Sequence, residues 1–126
     1  MKKATPLLTV DAIEPCLDFW VERLGFEKTA EVPHEDRLGF VILVRDGIEI
    51  MLQTVASMEA DIPGVAPPPG GTMLFVEVAD LDAIIETLGD APVVVPRRTT
   101  FYGADEIFVR EPSGNVVGFA RFGADG

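Results

Sequence analysis

The sequence has very few of the residues on which disulfide and metal chemistry depend. Its 126 residues include one cysteine, one histidine, one tryptophan and one tyrosine. Cys16 has no partner for an intrachain disulfide, which is typical of a reducing compartment, and we expect the protein to be cytoplasmic. No apolar run approaches the roughly 18 residues that a membrane-spanning helix needs, so we expect no membrane association. Asp11 and Glu14 interrupt the apolar stretch near the amino terminus, which argues against a signal peptide.

Positive charge is also scarce. The chain has 10 Lys and Arg residues against 21 Asp and Glu residues, giving a formal net charge of −11 at pH 7. This charge would repel a phosphate backbone, so we expect no nucleic-acid partner. The acidity is compatible either with solubility alone or with a preference for a cationic ligand. Hydrophobic residues make up 48% of the chain, which is enough for one globular domain over residues 1–126.

One pattern occurs twice in the sequence. A hairpin with Arg45-Asp46-Gly47 in its turn is repeated 65 positions later with Arg110-Glu111-Pro112-Ser113-Gly114. A helical pattern that ends in Leu24-Gly25 is repeated 64 positions later with Leu88-Gly89. The similar offsets predict one supersecondary unit used twice, in modules over about residues 4–56 and 72–122. The segment 57–71, rich in proline and glycine, is predicted to be the linker.

Each module is predicted to have the order βαβββ. In the first, apolar alternation predicts strands over 7–10, 27–32, 40–45 and 48–53, and the spacing of apolar residues predicts an α-helix over 13–24. In the second, strands are predicted over 72–78, over 93–95 and on both sides of the turn at 111–115, with a helix over 81–88. Residues 33–36 and the segment through Arg97, Arg98 and Tyr102 are predicted loops. The side chains of this second loop either bind an acidic ligand or pair with surface carboxylates. This order favours an α+β fold with mixed sheets.

In order and spacing, several motifs resemble the glyoxalase, bleomycin-resistance and extradiol-dioxygenase superfamily, also called vicinal oxygen chelate proteins. The resemblance covers nearly the whole chain. It implies two βαβββ modules whose curved sheets enclose a cavity, usually in a homodimer. The motifs are Leu8-Thr9-Val10, Phe19-Trp20, Leu24-Gly25-Phe26, Val76-Glu77-Val78-Ala79-Asp80-Leu81-Asp82, Tyr102-Gly103 and Arg110-Glu111-Pro112-Ser113-Gly114-Asn115.

Chemically active members of this superfamily hold a divalent metal through His, Gln or Glu side chains on the first and last strands of each module. Transferred by counting, these positions fall on Thr5, Met51, Met73 and Gly118. None of them offers the imidazole, amide or carboxylate that such a metal needs. The resemblance therefore implies a member without a metal or other cofactor, most similar to the bleomycin-resistance type.

Strand alternation indicates which side chains line the cavity. The predicted pocket has apolar walls and a few carboxylates, as a small-molecule site requires. Glu49, Glu77 and Glu106 either anchor a cation, act as a general base, or lie in water at the sheet rims. The predicted ligand-binding residues are Glu49, Met51, Met73, Phe75, Tyr102, Glu106, Phe108 and Gly118.

Three functions are compatible with these features. The first is a metal-free small-molecule-binding protein, a homodimer that sequesters a drug or metabolite. The second is a divalent-metal-dependent lyase, isomerase or dioxygenase of the same superfamily, with the ion held by some of Glu49, Glu77, Glu106 and His34. The third is a structural or partner-binding dimer without a ligand. A fillable apolar cavity favours the first function, converging carboxylates the second, and a closed cavity the third.

Overall fold

In the described part of the chain, eight strands form two separate sheets, one in each half. The computed structural model describes residues 1–123. The strands are β1 (Leu7–Val10), β2 (Glu27–His34), β3 (Arg37–Arg45), β4 (Ile48–Thr54), β5 (Met73–Glu77), β6 (Val93–Thr99), β7 (Ala104–Arg110) and β8 (Val116–Phe122). Sheet I has the order β1-β4-β3-β2, and sheet II has the equivalent order β5-β8-β7-β6.

The two sheets share one topology as well as one strand order. In each, the first strand pairs in parallel with the last, and the remaining pairs are antiparallel. Helices α1 (Ile13–Leu17) and α3 (Leu81–Leu88) follow β1 and β5, and α2 (Val55–Asp61) follows β4. The predicted α+β fold with two βαβββ units is confirmed. None of the helices described within residues 1–123 has the length and apolarity to cross a bilayer.

The first helix differs from its prediction. The sequence predicts one α-helix over 13–24, but α1 ends at Leu17 and the chain continues as a π-helical segment, Asp18–Arg23. The wider π turn, closed by a 3.1 Å bond from the Leu24 N–H to the Phe19 carbonyl, brings two adjacent aromatic side chains into the core. Phe19 is 2% exposed and Trp20 is 1% exposed, with their rings edge-to-face at 5.1 Å.

The segment predicted as a linker begins with part of a helix. Helix α2 covers Val55–Asp61, and the Thr54 hydroxyl caps it by accepting a 3.1 Å hydrogen bond from the Ser57 N–H. Met58 from this helix is buried. The first proline of the segment is Pro63, so nothing in the local sequence opposes a helix before that point.

Two predicted loops are also shorter than expected. Strand β2 extends to His34, which pairs with Arg37, so only a two-residue turn separates β2 from β3. Strand β6 runs to Thr99, so Arg97 and Arg98 belong to a strand and not to a loop. Register shifts on either side of Val95 accommodate Pro96 in this strand, which pairs with β7 at the edge of sheet II.

A single hydrophobic core joins the two modules. Leu8 and Leu52 of sheet I and Val109 and Val117 of sheet II belong to the same buried cluster, and each is at most 1% exposed. Polar contacts between the modules accompany it. The Arg23 Nη1 donates to the Leu88 carbonyl at 2.7 Å. Because both halves bury side chains in one cluster, we expect them to fold as one unit.

A buried carboxyl at the module contact makes stability depend on pH. Burial raises the pKa of the Glu111 carboxyl, although the Asn115 N–H donates to it at 2.8 Å and the Cys16 thiol lies 3.5 Å away. The folded state therefore binds this proton more tightly than the unfolded state. The free energy of unfolding of the protein therefore falls as the pH rises from the usual pKa of a glutamate through the raised pKa of Glu111.

We expect Glu111→Gln to remove this decrease of the free energy of unfolding with pH. The amide oxygen still accepts from the Asn115 N–H, and no charge is buried. Urea unfolding from about pH 4 to about pH 8 measures it. The exposed variant Glu22→Gln is the control and should keep the wild-type pH dependence. An unchanged pH dependence in Glu111→Gln would contradict this account.

Candidate functional site

Each sheet has one face covered by helices and one face without them, here called the open face. Register places side chains of neighbouring strands in rows across the open face of sheet II. Phe75, Gly118 and Phe108 form one row. The next row contains Glu77, Ala120, Glu106 and Arg98. Five of the eight predicted ligand-binding residues, namely Met73, Phe75, Glu106, Phe108 and Gly118, therefore lie on one surface.

The open face of sheet II exposes apolar side chains of a kind that sheets usually bury against another part of a protein. Met73 is 64% exposed and Phe75 is 50% exposed. On the opposite face of the same sheet, Val117 and Val109 are fully buried. Adjacent exposed apolar groups of this kind mark a binding surface.

Gly118 is required for the position of Phe108. The Phe108 ring lies across β8, and a Cβ at position 118 would stand 2.4 Å from the Phe108 Cε2 atom. Such a separation is far below van der Waals contact, so any larger residue here would displace the Phe108 ring. The ring of Phe75 lies 6.2 Å from that of Phe108, within the range of an aromatic pair. Because Gly118 has no side chain, the Phe108 ring can lie over β8 beside the ring of Phe75. These two rings are here called the aromatic floor.

Glu106 lies in the middle of this face and is fully buried. Two side chains cover it. The Arg98 Nε donates to Oε2 at 2.9 Å, and the Tyr102 hydroxyl donates to Oε1 at 2.5 Å. A buried carboxylate requires such partners because desolvation would otherwise cost several kcal/mol. The hydrogen bond to Glu106 raises the pKa of Tyr102, because loss of the phenol proton would place two negative charges together.

More aromatic side chains border the Glu106 row on the side opposite Phe108. The Tyr102 ring lies 6.3 Å from that of Phe122, which pairs with Ala104 in the sheet. Phe101, at the tip of the β6–β7 turn, is fully exposed and packs edge-to-face on Tyr102 at 5.1 Å. Glu106 thus lies between two aromatic pairs.

The open face of sheet I is also apolar but has a different charged group. Leu7, Met51 and Ile42 form a row of exposed or half-buried side chains. Glu49 is on the same face, and its carboxylate accepts from Lys3 at 2.9 Å and from the Thr5 hydroxyl at 3.0 Å. These donors, Lys3 first, hold the pKa of Glu49 below its usual range.

The residues at the superfamily's metal positions do not fit a divalent metal. The Thr5 hydroxyl lies 3.0 Å from the Glu49 carboxylate. The sheets pair Met51 with Leu7, Met73 with Val116 and Gly118 with Phe75. Of these groups only the Glu49 carboxylate is a usual ligand, and Lys3 already binds it. Nowhere in residues 1–123 do three His, Cys, Asp or Glu side chains come close enough to hold a metal ion.

The remaining residues that the sequence suggested for binding or metal coordination do not lie together. Arg97 points to the opposite face from Arg98, where it pairs with Asp82 and Asp105. Glu77 is exposed at the edge of the Glu106 row and makes no salt bridge within the described residues. His34 lies at the end of β2 in sheet I.

The clefts formed by the single chain lie mainly where the modules meet. One, of about 380 Å³, is lined by apolar residues such as Trp20, Ile84 and Phe119 and by none of the eight predicted residues. A second, of about 470 Å³, has Glu49 and Phe75 among its lining residues. The single chain therefore brings one predicted residue of sheet I next to one of sheet II, and the two open faces carry the others.

Sequence reasoning missed Phe122 as a residue of the open face, and it considered Arg98 only as a loop residue that binds an acidic ligand or pairs with surface carboxylates. Arg98 was assigned to a loop, and its pairing with Glu106 depends on β6 continuing past Pro96. Phe122 shares the alternation of Gly118 and Ala120, so its place on this face was available from the sequence.

Comparison with known proteins agrees with this architecture. The sequence profile of the Glyoxalase/Bleomycin resistance protein/Dioxygenase superfamily matches residues 4–119. The chain belongs to this superfamily. No curated protein sequence matches it significantly.

Solved structures similar to this chain include two binding proteins and an enzyme. The bleomycin-binding protein of bleomycin-producing Streptomyces verticillus is 26% identical, with 94% of each chain covered and a TM-score of 0.64. The antibiotic-binding protein TnmS3 of Streptomyces sp. CB03234 is 24% identical, with 97% of this chain and 98% of that one covered and a TM-score of 0.68. A lactoylglutathione lyase of Agrobacterium tumefaciens is 17% identical, with 96% and 94% covered and a TM-score of 0.74.

The close approach at Gly118 gives a direct test of the aromatic floor. We expect Gly118→Ala to lower the free energy of unfolding by about 1–3 kcal/mol, because the new methyl displaces the Phe108 ring. In a Phe108→Ala background the same change should cost less than about 0.5 kcal/mol, since the clash is gone. Urea unfolding of the four proteins in this cycle measures the coupling.

Gly71→Ala is the matched control for that cycle. A Cβ there would lie at an ordinary 3.7 Å from the Pro68 carbonyl oxygen. Its effect should stay within about 0.5 kcal/mol. Equal costs of Gly118→Ala with and without the Phe108 ring would show that the ring is not placed as described.

Proposed function

We propose that this protein is a homodimeric small-molecule-binding protein that needs no metal. The observation that carries the proposal is the open face of sheet II. There, exposed Met73 and Phe75 adjoin Phe108, and a fully buried Glu106 is held by Arg98 and Tyr102. Apolar walls with a few fixed polar groups are the usual composition of a ligand site.

A second copy of the chain supplies the cover that the single chain lacks. Both open faces carry apolar side chains in contact with solvent, including Leu7 on sheet I and Met73 on sheet II. Two copies that face one another through these surfaces remove them from water and enclose a ligand between them. The superfamily resemblance supports this pairing of modules.

Proteins of similar structure support a binding role. The Streptomyces verticillus protein was solved with copper(II)-bleomycin, and TnmS3 is an antibiotic-binding protein. We therefore propose an antibiotic or similar metabolite as the ligand. A metal-dependent lyase, isomerase or dioxygenase requires converging ligands, whereas Glu49 is bound to Lys3 and Glu106 to Arg98. Among residues 1–123, His, Cys, Asp and Glu side chains do not converge in that way.

Oligomeric state and ligand binding test the proposal together. Light scattering should give twice the 13.6 kDa chain mass. Calorimetric titration with bleomycin, copper(II)-bleomycin and a panel of aromatic antibiotics should identify a saturating ligand that raises Tm. Phe108→Ala should weaken that ligand about tenfold or more, because the aromatic floor is lost.

Val65→Ala is the control, since Val65 is an exposed apolar residue away from both sheets. It should bind the same ligand with wild-type affinity. A chelator should leave Tm unchanged. Stoichiometric Mn²⁺, Ni²⁺, Zn²⁺ or Fe²⁺ whose binding is abolished by Glu49→Ala would overturn the proposal and favour the metal-dependent enzyme.

A further inference from the structure

The open face of sheet II presents an arginine edge that the chain itself does not use. Arg98 approaches Glu106 from one side only, with Nε at 2.9 Å and Nη2 at 2.8 Å from the same carboxylate oxygen. Within residues 1–123, Nη1 makes no hydrogen bond, and the side chain is 56% exposed. A guanidinium has five N–H donors in a planar fork, so several remain for an acceptor outside the chain.

Glu106 and Tyr102 hold this edge in position. Glu106 is fully buried, and its other oxygen accepts from the Tyr102 hydroxyl at 2.5 Å, so both carboxylate oxygens are fixed. An arginine that is already anchored loses less conformational entropy when its outer edge binds a ligand. That edge matches the two oxygens of a carboxylate.

The aromatic floor begins beside this edge. Phe108 lies two residues from Glu106 on β7, which corresponds to about 7 Å along a strand. Phe75 extends the floor on the far side of Gly118. A fused two-ring system with an attached carboxylate is therefore the class of ligand whose rings pack on the phenylalanines while its carboxylate extends toward Arg98 in the neighbouring row.

We propose that this face binds a planar aromatic acid, with its rings on Phe75 and Phe108 and its carboxylate on the outer edge of Arg98. The inference rests on the proposed function and specifies the chemistry of its ligand. It differs from the cationic ligand that the net charge of −11 suggests. Local groups decide a direct contact, because exposed charges more than about 8–10 Å away are screened at physiological salt.

Three ligands with the same rings test the inference. Calorimetric titration is run with naphthalene-2-carboxylate, naphthalene-2-carboxamide and 2-naphthylmethylammonium. We expect naphthalene-2-carboxylate to bind at least about tenfold more tightly than the other two ligands, because it adds a charge-assisted hydrogen bond to Arg98. Arg98→Lys should remove most of this preference, because an ammonium cannot form the planar fork, while its charge still neutralises Glu106.

Arg97→Lys is the matched control. Arg97 is the preceding residue on β6, but it faces the other side of the sheet and pairs with Asp82 and Asp105. It should keep the wild-type preference for the carboxylate. Unfolding temperatures of both variants establish that the fold is intact.

The outcomes separate this inference from the proposed function. Equal binding of all three ligands would leave the aromatic site standing and overturn the role of Arg98. A preference for the ammonium would overturn it too, and would point to the exposed Glu77 in the same row. If none of the three binds, the aromatic-acid inference fails, and the antibiotic titration alone decides the proposed function.

Discussion

The packing of both sheets into one core is the constraint on which the rest of the structure depends. Side chains alternate along a strand, so a sheet that buries one face in a shared core leaves every second residue on its other face. Leu52 and Val117 are buried for this reason, and Met51 and Phe75 are left exposed or half-buried on the open faces. The candidate site is therefore a direct consequence of how the core is built, and its apolar side chains are in contact with solvent in the single chain.

The charge on each open face is determined by the side chains that pair there and not by the net charge of the chain. Although the net charge is −11, Glu106 is paired with Arg98 and Glu49 with Lys3. Buried or half-buried carboxylates are stable only with such partners, which is why scarce cations are found on both open faces. At the four positions where the superfamily resemblance implies metal ligands, this chain has the Thr5 hydroxyl, the thioethers of Met51 and Met73, and Gly118, which has no side chain. The arrangement is suited to binding and orienting a molecule.

Much of the fold was predictable, because repeated turns and apolar alternation specify two equivalent units. The α-helix predicted over residues 13–24 was wrong over residues 18–23, where the chain forms a π-helical segment with Phe19 and Trp20 buried, and apolar periodicity does not distinguish a π turn from an α turn. Alternation also placed Phe75, Phe108 and Gly118 on one surface. It could not predict that Arg98 would reach Glu106, because Pro96 suggested the end of a strand whose register shifts let it continue. Contacts of this kind depend on register, which a single sequence does not specify.

Methyl NMR of the methionines tests most directly whether the open faces bind the ligand. Of the four methionines, Met51 lies on the open face of sheet I, Met73 on that of sheet II, and Met58 is buried in α2. On titration with naphthalene-2-carboxylate, our account predicts that the Met51 and Met73 methyl resonances shift with one saturation curve while the Met58 resonance stays in place. A shift of Met58 with Met51 and Met73 unchanged would contradict it, because the ligand would then enter the core and leave both sheet faces free.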